Sequence, residues 1–218
     1  MMIQVAPSLL SADFLKLGQE VEFLNSKADI IHLDIMDGQF VPNLSFGFPV
    51  VEAVSRLAGI PLDVHLMIVQ PGKYIERFAA AGASMISFHY EAALSSTPDL
   101  LKQIRSLGVK AGIAINPDCP VESIFPYLDR LDFVLVMSVF AGFGGQSFIP
   151  ASLERIAAIR KALDGIGRKD VPIEVDGGIG PSNAASVVQA GASILVAGSS
   201  VFGAPDPAAA ISAIRNSM

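Results

Sequence analysis

Short apolar runs, each long enough for one β-strand, alternate with longer segments of helical periodicity along the whole sequence. Eight such runs lie near residues 3–8, 30–36, 62–67, 84–89, 111–115, 132–137, 172–176 and 194–197. Between them, apolar residues recur at spacings of three and four, which is typical of amphipathic helices. The helical segments lie near 13–26, 48–58, 71–81, 98–107, 121–128, 152–163, 182–190 and 206–216. This alternation restricts the chain to parallel α/β folds.

The number of repeats favours a closed barrel over an open sheet. Eight strand–helix units within 218 residues fit a (β/α)8 TIM barrel. A doubly wound open sheet shows the same alternation and is the alternative fold. No linker rich in Pro or Ser and no block of charge divides the chain. We therefore predict a single-domain α/β protein, a (β/α)8 barrel over residues 1–218.

Charge and cysteine content exclude several classes of partner. The chain has 15 Lys and Arg against 21 Asp and Glu, a net charge of −6. With no basic run, neither nucleic acid nor a membrane surface is an expected partner. The single cysteine, Cys119, forms no internal disulfide and suits a reducing cytosol. The first residues lack the features of a signal peptide, and we expect a cytoplasmic protein.

Polar residues alternate with aliphatic ones in the second and third strand-like runs. His32 and Asp34 share one face of the second run, and Asp63 and His65 share one face of the third. A parallel strand that is buried on both faces is normally apolar on both. The polar faces are therefore expected to point into the barrel, near its C-terminal mouth.

The seventh run adds two more carboxylates, Glu174 and Asp176. Imidazole and carboxylate groups together suit a divalent ion such as Zn²⁺, Fe²⁺, Mn²⁺ or Co²⁺. Asp63 and Glu174 are expected one layer deeper, where they orient the ligand histidines. The metal ligands that we predict from three strand ends are His32, Asp34, His65 and Asp176.

The remaining histidine, the cysteine and three methionines are not part of a comparable set of candidate metal ligands. His89, near the end of the fourth run, lacks comparable partners, and we assign it to the scaffold or to support of the ligands. Cys119 shows no sign of an activated thiol and is expected to be a bystander. Met36, Met67 and Met137 are expected at the mouth, where they either fill the core or shield the reacting carbons from water.

Five segments, in order, resemble the ribulose-phosphate 3-epimerase family, and the resemblance extends over nearly the whole chain. The segments are 7–13, 32–43, 63–67, 142–146 and 175–179. The resemblance implies a metal-dependent isomerase of the pentose phosphate pathway that inverts C3 of D-ribulose 5-phosphate and gives D-xylulose 5-phosphate through an enediolate. It also implies one divalent ion, a sugar-phosphate ligand and a homo-oligomer.

Residue roles follow from the same resemblance. Asp34 is the implied base and Asp176 the implied acid, with the roles exchanged in the reverse direction. The implied metal ligands coincide with the four residues named above. The implied substrate positions are Ser8, His65, Gly142, Phe143, Gly144, Gly145, Gly177, Gly178, Gly198 and Ser199.

Glycine-rich segments follow the sixth, seventh and eighth strand-like runs. Residues 133–153 and 177–205 carry no charged side chain, so they offer an anion no lysine or arginine. Glycine lets the backbone approach an anion closely, and the loops after strands seven and eight of such barrels commonly bind phosphate. We expect backbone N–H groups to hold the phosphate; the alternative is that these glycines only make tight turns.

The sequence departs from the family pattern just before Gly142. Phe140 and Ala141 replace the usual polar residue and proline, which frees the loop's entry backbone and adds an apolar wall. Substrate choice is therefore left open between ribulose 5-phosphate and a ketohexose 6-phosphate such as D-allulose 6-phosphate. A catalytically silent sugar-phosphate binding protein is the alternative from another class. Related metal-assisted decarboxylases carry a lysine two residues after the aspartate, where this chain has Met36.

Overall fold

The computed structural model describes residues 2–217 and contains eight parallel strands with helices between them. The strands are β1 (Gln4–Pro7), β2 (Ile31–Met36), β3 (Leu62–Met67), β4 (Met85–His89), β5 (Lys110–Ile115), β6 (Phe133–Met137), β7 (Ile173–Asp176) and β8 (Ile194–Ala197). The α-helices are α1 (Leu17–Lys27), α2 (Phe48–Leu57), α3 (Ile75–Ala80), α4 (Tyr90–Ala93), α5 (Thr97–Ser106), α6 (Ser152–Gly165), α7 (Ala184–Gln189), α8 (Ser199–Phe202) and α9 (Pro207–Arg215).

The eight strands form one nearly closed barrel. From β2 to β8 each strand pairs in parallel with its sequence neighbour, and β1 pairs with β8, so the order is β1-β8-β7-β6-β5-β4-β3-β2. The seam between β1 and β2 is bridged by Ser8 and His32, and by the N–H of Asp29, which donates to the carbonyl of Val5 at 3.1 Å. The predicted TIM barrel is confirmed, and the open doubly wound sheet is excluded by this sequential order.

The two faces of the strands pack into different clusters of buried side chains. Aliphatic residues on the outer faces of the strands, such as Leu33 and Val64, are buried in the main hydrophobic core. A second cluster contains Ala6, Ile30, Met85, Phe133, Ile194 and Val196. Alternation along β2 and β3 then leaves the opposite faces, with their polar residues, for the interior near the C-terminal mouth.

Helix boundaries differ from the sequence prediction where proline or short loops intervene. The segment predicted as a helix over 121–128 is a 3₁₀ helix, Val121–Arg130, because Pro126 lies inside it and removes a backbone donor. The helix predicted to begin at 13 starts with a 3₁₀ turn, Phe14–Lys16, before α1. The short helices α4 and α8 were not predicted. Within residues 2–217 no helix has the length and apolarity needed to span a bilayer.

One glycine of β5 makes room for an aromatic ring in the next strand. Gly112 pairs with Phe133 across the β5–β6 ladder. A Cβ atom on Gly112 would lie 2.4 to 2.7 Å from three atoms of the Phe133 ring. Phe133 is fully buried, so the ring has no free space into which it can turn. The absence of a side chain at 112 is therefore a packing requirement.

We predict that Gly112→Ala lowers the free energy of unfolding by about 1–3 kcal/mol, the usual cost of overpacking a core. The matched control is Gly165→Ala at the exposed end of α6, where an added Cβ meets nothing within 4 Å. That variant should be as stable as the parent or slightly more so. Urea unfolding measures both. Equal midpoints for the two variants would contradict the packing requirement.

Candidate active site

Three strands bring the predicted ligands to one point at the C-terminal mouth. The β2–β3 register pairs Asp34 with His65, and Asp176 at the end of β7 pairs with Met137 and Val196 on the neighbouring strands. His32 and His65 are fully buried, while the side chain of Asp176 keeps 17% of its surface exposed. The carboxylate at 176 therefore faces the opening, above the two imidazoles.

The four side chains approach one another through their potential metal-binding atoms. Nε2 of His32 lies 3.4 Å from Oδ1 of Asp34 and 4.0 Å from Oδ2 of Asp176. Nδ1 of His65 lies 3.3 Å and 3.8 Å from the same two oxygens. All four ligand atoms fall within 4.8 Å of one another. Two ligands bound at about 2.1 Å in a tetrahedral site are about 3.4 Å apart, so these separations suit one shared ion.

His32 shows most directly that a cation fits here. Its Nδ1 lies 2.6 Å from Oδ2 of Asp63, to which it donates its proton. Its Nε2 is buried and has no hydrogen-bond partner within residues 2–217. Burial alone would lower the pKa of His32, but the charges of Asp34 and Asp63 outweigh burial and raise that pKa well above its ordinary value. A positive charge is therefore favoured at this nitrogen, and a bound cation would supply it in place of a proton. The His/Asp cluster could thus hold a divalent metal ion.

The two aspartates have different electrostatic surroundings. Burial alone would raise the pKa of Asp34, but His32 and His65 outweigh burial and hold that pKa well below its usual range. Burial, together with the negative charge of Asp34, raises the pKa of Asp176 to about 7. The protein groups by themselves therefore favour a proton on Asp176 rather than on Asp34.

Two further carboxyl groups lie below the cluster, beside His32. Glu174 lies with Oε1 3.5 Å from Nδ1 of His32, and Asp63 accepts the bond described above, so both carboxyls lie beside His32 as expected. Burial and the neighbouring charge of Asp63 raise the pKa of Glu174 well above its ordinary value. Glu174 is therefore favoured in its neutral form, which avoids two adjacent buried charges.

A cavity opens above the cluster, and most of the predicted substrate residues line it. Met36, Met67 and Met137 form part of its wall. Ser8 donates a hydrogen bond of 2.5 Å from Oγ to Oδ2 of Asp34. The remaining predicted substrate positions on the lining are Gly142, Phe143, Gly144, Gly145, Gly177, Gly178, Gly198 and Ser199. His65 is the exception, because it lies beneath this lining with its Nδ1 towards the two aspartates.

The rim of the cavity is built from backbone rather than from charged side chains. None of the lining residues in the described chain is a lysine or arginine. Gly178 adopts a φ of +63°, and a Cβ there would lie 2.4 Å from the backbone nitrogen of Phe148, so only glycine fits. Within residues 2–217, the N–H groups of Gly144, Gly145, Gly178 and Ser199 donate no hydrogen bond to the protein. They are free to bind an anion.

Some residues near the site were not foreseen from the sequence. Ser11, Val139 and Ile179 line the cavity without having been predicted as site residues, although Ser11 and Ile179 lie in segments that carry the family resemblance. Phe140 lines the rim, where the sequence predicts an apolar wall, and it is half exposed. His89, which the sequence analysis assigns to the scaffold or to support of the ligands, has a partner that the sequence does not reveal, since its Nε2 lies 2.9 Å from Nε2 of His65. The strand register brings these rings together, and no sequence pattern encodes it.

Cys119 takes no part in the site. Its side chain is buried, and it is not among the residues that line the cavity. Burial, with a contribution from the charge of Glu91, raises the pKa of the thiol to about 11. At neutral pH the group is therefore a thiol rather than a reactive thiolate.

Comparison with known proteins identifies sequence relatives over the full chain. The model of the ribulose-phosphate 3 epimerase family matches residues 4–202. Ribulose-phosphate 3-epimerase from Bacillus subtilis is 50% identical over 99% of this chain and 100% of its own length. The enzyme of that name from Synechocystis is 51% identical over 99% of this chain and 94% of its own length.

Solved structures with much lower identity share the fold. A 3-hexulose-6-phosphate synthase is similar with a TM-score of 0.70 and 21% identity, over 100% of both chains. KGPDC from Streptococcus mutans is similar with a TM-score of 0.75 and 13% identity, over 100% of this chain and 97% of its own. These likenesses confirm the barrel architecture.

The site geometry predicts that the purified protein binds one divalent ion per chain. Zn²⁺ and Co²⁺ titrations should saturate at one equivalent, and His32→Ala should weaken binding by at least about 10²-fold, because it removes a ligand. The control is Cys119→Ala, which removes a potential ligand that lies outside the cluster. Metal content by mass spectrometry and competition with a chelator measure both. Equal affinity in His32→Ala and the parent would contradict the assignment.

Proposed function

The chain belongs to the ribulose-phosphate 3-epimerase family, and we propose that it inverts C3 of D-ribulose 5-phosphate by a two-carboxylate mechanism at the cluster described above. In this proposal the metal ligands are His32, Asp34, His65 and Asp176. Asp34 is the base and Asp176 the acid for ribulose 5-phosphate, and the roles exchange for xylulose 5-phosphate. The observation that carries the proposal is the convergence of two carboxylates and two imidazoles beneath a cavity rimmed by unused backbone donors.

Epimerisation next to a ketone needs proton transfer on two faces of one carbon. A base removes the C3 proton, and an acid returns a proton to the opposite face of the enediolate. Asp34 reaches the site from β2 and Asp176 from β7, so the two carboxylates belong to different walls of the barrel. A single carboxylate could return a proton only to the face from which it took one.

The surroundings of the two carboxylates support this assignment of roles. Asp34 accepts a hydrogen bond from Ser8 and lies close to both imidazoles, which favours its ionised form. Asp176 has the higher pKa and the more exposed position. A nearby cation lowers both pKa values, so the difference between them, rather than either value, supports Asp34 as the base for ribulose 5-phosphate.

The proposed cofactor is one divalent ion, Zn²⁺, Fe²⁺, Mn²⁺ or Co²⁺, held by the four ligands. When bound, it supplies Lewis-acid stabilisation of the negative charge that develops on the substrate oxygens. Both ligand histidines must present a lone pair to it. Asp63 accepts a hydrogen bond from Nδ1–H of His32, which keeps the proton on Nδ1 and leaves Nε2 for the ion.

The apolar side of the cavity protects the intermediate. Met36, Met67 and Met137 are buried and line the cavity beside the carboxylates. A thioether is polarisable but has no acidic proton, so these side chains can cover an electron-rich carbon without quenching it. They also exclude water, which would otherwise compete as a proton donor.

The phosphate is proposed to lie against the glycine loops at the rim. The N–H groups of Gly144, Gly145, Gly178 and Ser199 are available there, and no lysine or arginine lines this part of the cavity within the described chain. Backbone dipoles supply positive potential that stays fixed and cannot move towards the aspartates. An acidic protein can therefore bind an anionic sugar without a basic side chain.

We also propose a cytoplasmic homo-oligomer. Large apolar side chains are exposed at Phe14, Leu15 and Leu44, and an acidic monomer gains by covering such a surface. The single buried cysteine suits a reducing compartment.

The experiment that tests the proposed function is incubation with D-ribulose 5-phosphate in D₂O, followed by NMR at C3. Formation of xylulose 5-phosphate with deuterium at C3 is expected. D-allulose 6-phosphate is tested in parallel, and faster turnover of that sugar would favour the ketohexose alternative. Binding of both sugars without exchange at C3 would contradict an enzyme and favour the silent binding protein.

Asp176→Asn should separate the two proton transfers. Epimerisation is expected to fall by about 10³-fold, since the acid is lost. Exchange of the C3 proton of ribulose 5-phosphate should persist, because Asp34 can still remove a proton and return a solvent-derived one to the same face. Asp34→Asn should lose both activities with this sugar. Metal-saturated enzyme and the exposed Asp118→Asn control exclude effects of metal loss or charge. Full epimerisation by metal-loaded Asp176→Asn would contradict the two-carboxylate mechanism.

Gly144→Val should raise KM for ribulose 5-phosphate sharply while leaving metal affinity unchanged. The nearest atom to a Cβ at 144 is Oγ of Ser11 at 3.6 Å, so the larger side chain fits the fold and intrudes on the proposed phosphate position. Ser199→Ala keeps its backbone donor and should cost only about 1 kcal/mol. Gly165→Val, far from the cavity, is the control. An unchanged KM in Gly144→Val would overturn this phosphate site.

A further inference from the structure

A chain of buried polar groups extends from His65 away from the metal cluster. Nε2 of His65 lies 2.9 Å from Nε2 of His89, and the two rings stack with centroids 5.0 Å apart and a 26° angle between planes. Beyond the second ring, Nδ1 of His89 lies 3.3 Å from Nδ2 of Asn116 and 3.5 Å from Oε2 of Glu91. The mechanism above does not use His89, Asn116 or Glu91.

The amide of Asn116 is oriented by a backbone contact. Its Oδ1 accepts a hydrogen bond of 3.1 Å from the N–H of Ala141, so its NH₂ group must face His89. Nδ1 of His89 then accepts a hydrogen bond from the NH₂ group of Asn116, and its Nε2 carries hydrogen and donates to His65. In this direction, Nδ1 of His65 also carries hydrogen and donates to Oδ1 of Asp34 at 3.3 Å.

Metal binding through Nδ1 of His65 requires the opposite direction. A ligand nitrogen must have a free lone pair, so the His65 proton has to lie on Nε2 and point at His89. The proton on Nε2 of His89 then passes to Nε2 of His65 across the 2.9 Å contact, and Nδ1 of His89 has to take up another proton. Glu91 is the acceptor placed for that proton, because its Oε2 is buried and has no hydrogen-bond partner within residues 2–217.

We propose that His89 and Glu91 are positioning residues that set the tautomer of His65, and that the imidazole pair reverses its hydrogen-bond direction when a metal ion binds. Asn116 supports one direction as a donor, and Glu91 supports the other as an acceptor. Each ring holds one proton in both states. The proton leaving Nδ1 of His65 goes to solvent at the mouth, and another reaches Nδ1 of His89 from the partly exposed side of Glu91.

This inference rests on the proposed metal site. It means that the two ligand histidines have their tautomers set in different ways. His32 donates directly to Asp63, whereas His65 reaches its carboxylate through a second imidazole. The direct pair favours one tautomer of His32 only. The relayed pair leaves His65 with two accessible tautomers, and only one of them binds metal.

The key variant is Glu91→Gln. Oε1 of Glu91 accepts a hydrogen bond of 2.7 Å from the backbone N–H of Asn116. A glutamine would keep that bond with its carbonyl oxygen and turn its NH₂ towards Nδ1 of His89. Both neighbours of His89 would then be donors, which favours the tautomer that opposes metal binding. Zn²⁺ affinity should fall by about 10–100-fold, as for other changes behind metal ligands.

Two readouts and a matched control test the proposal. Zn²⁺ affinity is measured by chelator competition on the full-length protein, and the exposed Glu76→Gln is the charge-matched control with no expected change. Long-range ¹⁵N–¹H NMR reports the tautomers directly: in the parent, Zn²⁺ should move the His89 proton from Nε2 to Nδ1. Asn116→Asp, which replaces the donor by an acceptor, should favour Nδ1–H on His89 even without Zn²⁺.

The outcomes separate this inference from the function on which it rests. If the parent protein fails to bind Zn²⁺, the proposed metal site is wrong. If the parent binds Zn²⁺ but Glu91→Gln binds equally well, or the His89 proton stays on Nε2 in the Zn²⁺ form, the positioning role is overturned and the metal site stands.

Discussion

The structure depends on one electrostatic constraint, which is the burial of four carboxyl groups around two imidazoles inside the barrel. Asp34, Asp63, Glu174 and Asp176 lie within reach of His32 or of one another in a region with little access to water. Isolated charges there would be strongly destabilising. The protein limits the cost by favouring a proton on Glu174, by pairing Asp63 with His32, and by directing the other two carboxylates at a point where a cation fits.

This constraint bears on two other parts of the barrel, the apolar interior away from the mouth and the rim of the cavity. Phe133 and Met85 fill the interior away from the mouth, which keeps water from the deep carboxyls. At the rim, the proposed phosphate position offers backbone N–H groups instead of a lysine. A mobile ammonium group near Asp34 and Asp176 would pair with them and would compete with the proposed metal ion. Fixed dipoles avoid that competition.

Much of the site could be predicted from the sequence because strand alternation is a strict geometric rule. Once 32, 34, 63, 65, 174 and 176 are assigned to strands, their side chains can only meet inside the barrel. The support behind His65 follows no such rule. His89 meets His65 through the stagger between β3 and β4, and Glu91 lies on the short helix α4, which has no periodic signal. The segment around Pro126 is predicted as a helix but not as a 3₁₀ helix, because apolar spacing does not distinguish the two.

Asn116 connects the two ends of the site through a single side chain. Its NH₂ faces His89 behind the metal cluster, while its Oδ1 holds the N–H of Ala141, where the glycine loop that rims the cavity begins. Its backbone is fixed as well, since Arg155 donates to its carbonyl at 2.8 Å and its N–H donates to Glu91. The Asn116 side chain therefore stays between His89 and Ala141, and only its own rotation could change these contacts. The amide of Asn116 therefore contacts the His89 ring and the start of the glycine loop at the same time. If the amide turned to present its oxygen to His89, the hydrogen bond from Ala141 would be lost. The departure at Phe140 and Ala141, where proline would remove the very N–H that Asn116 binds, is consistent with this double role.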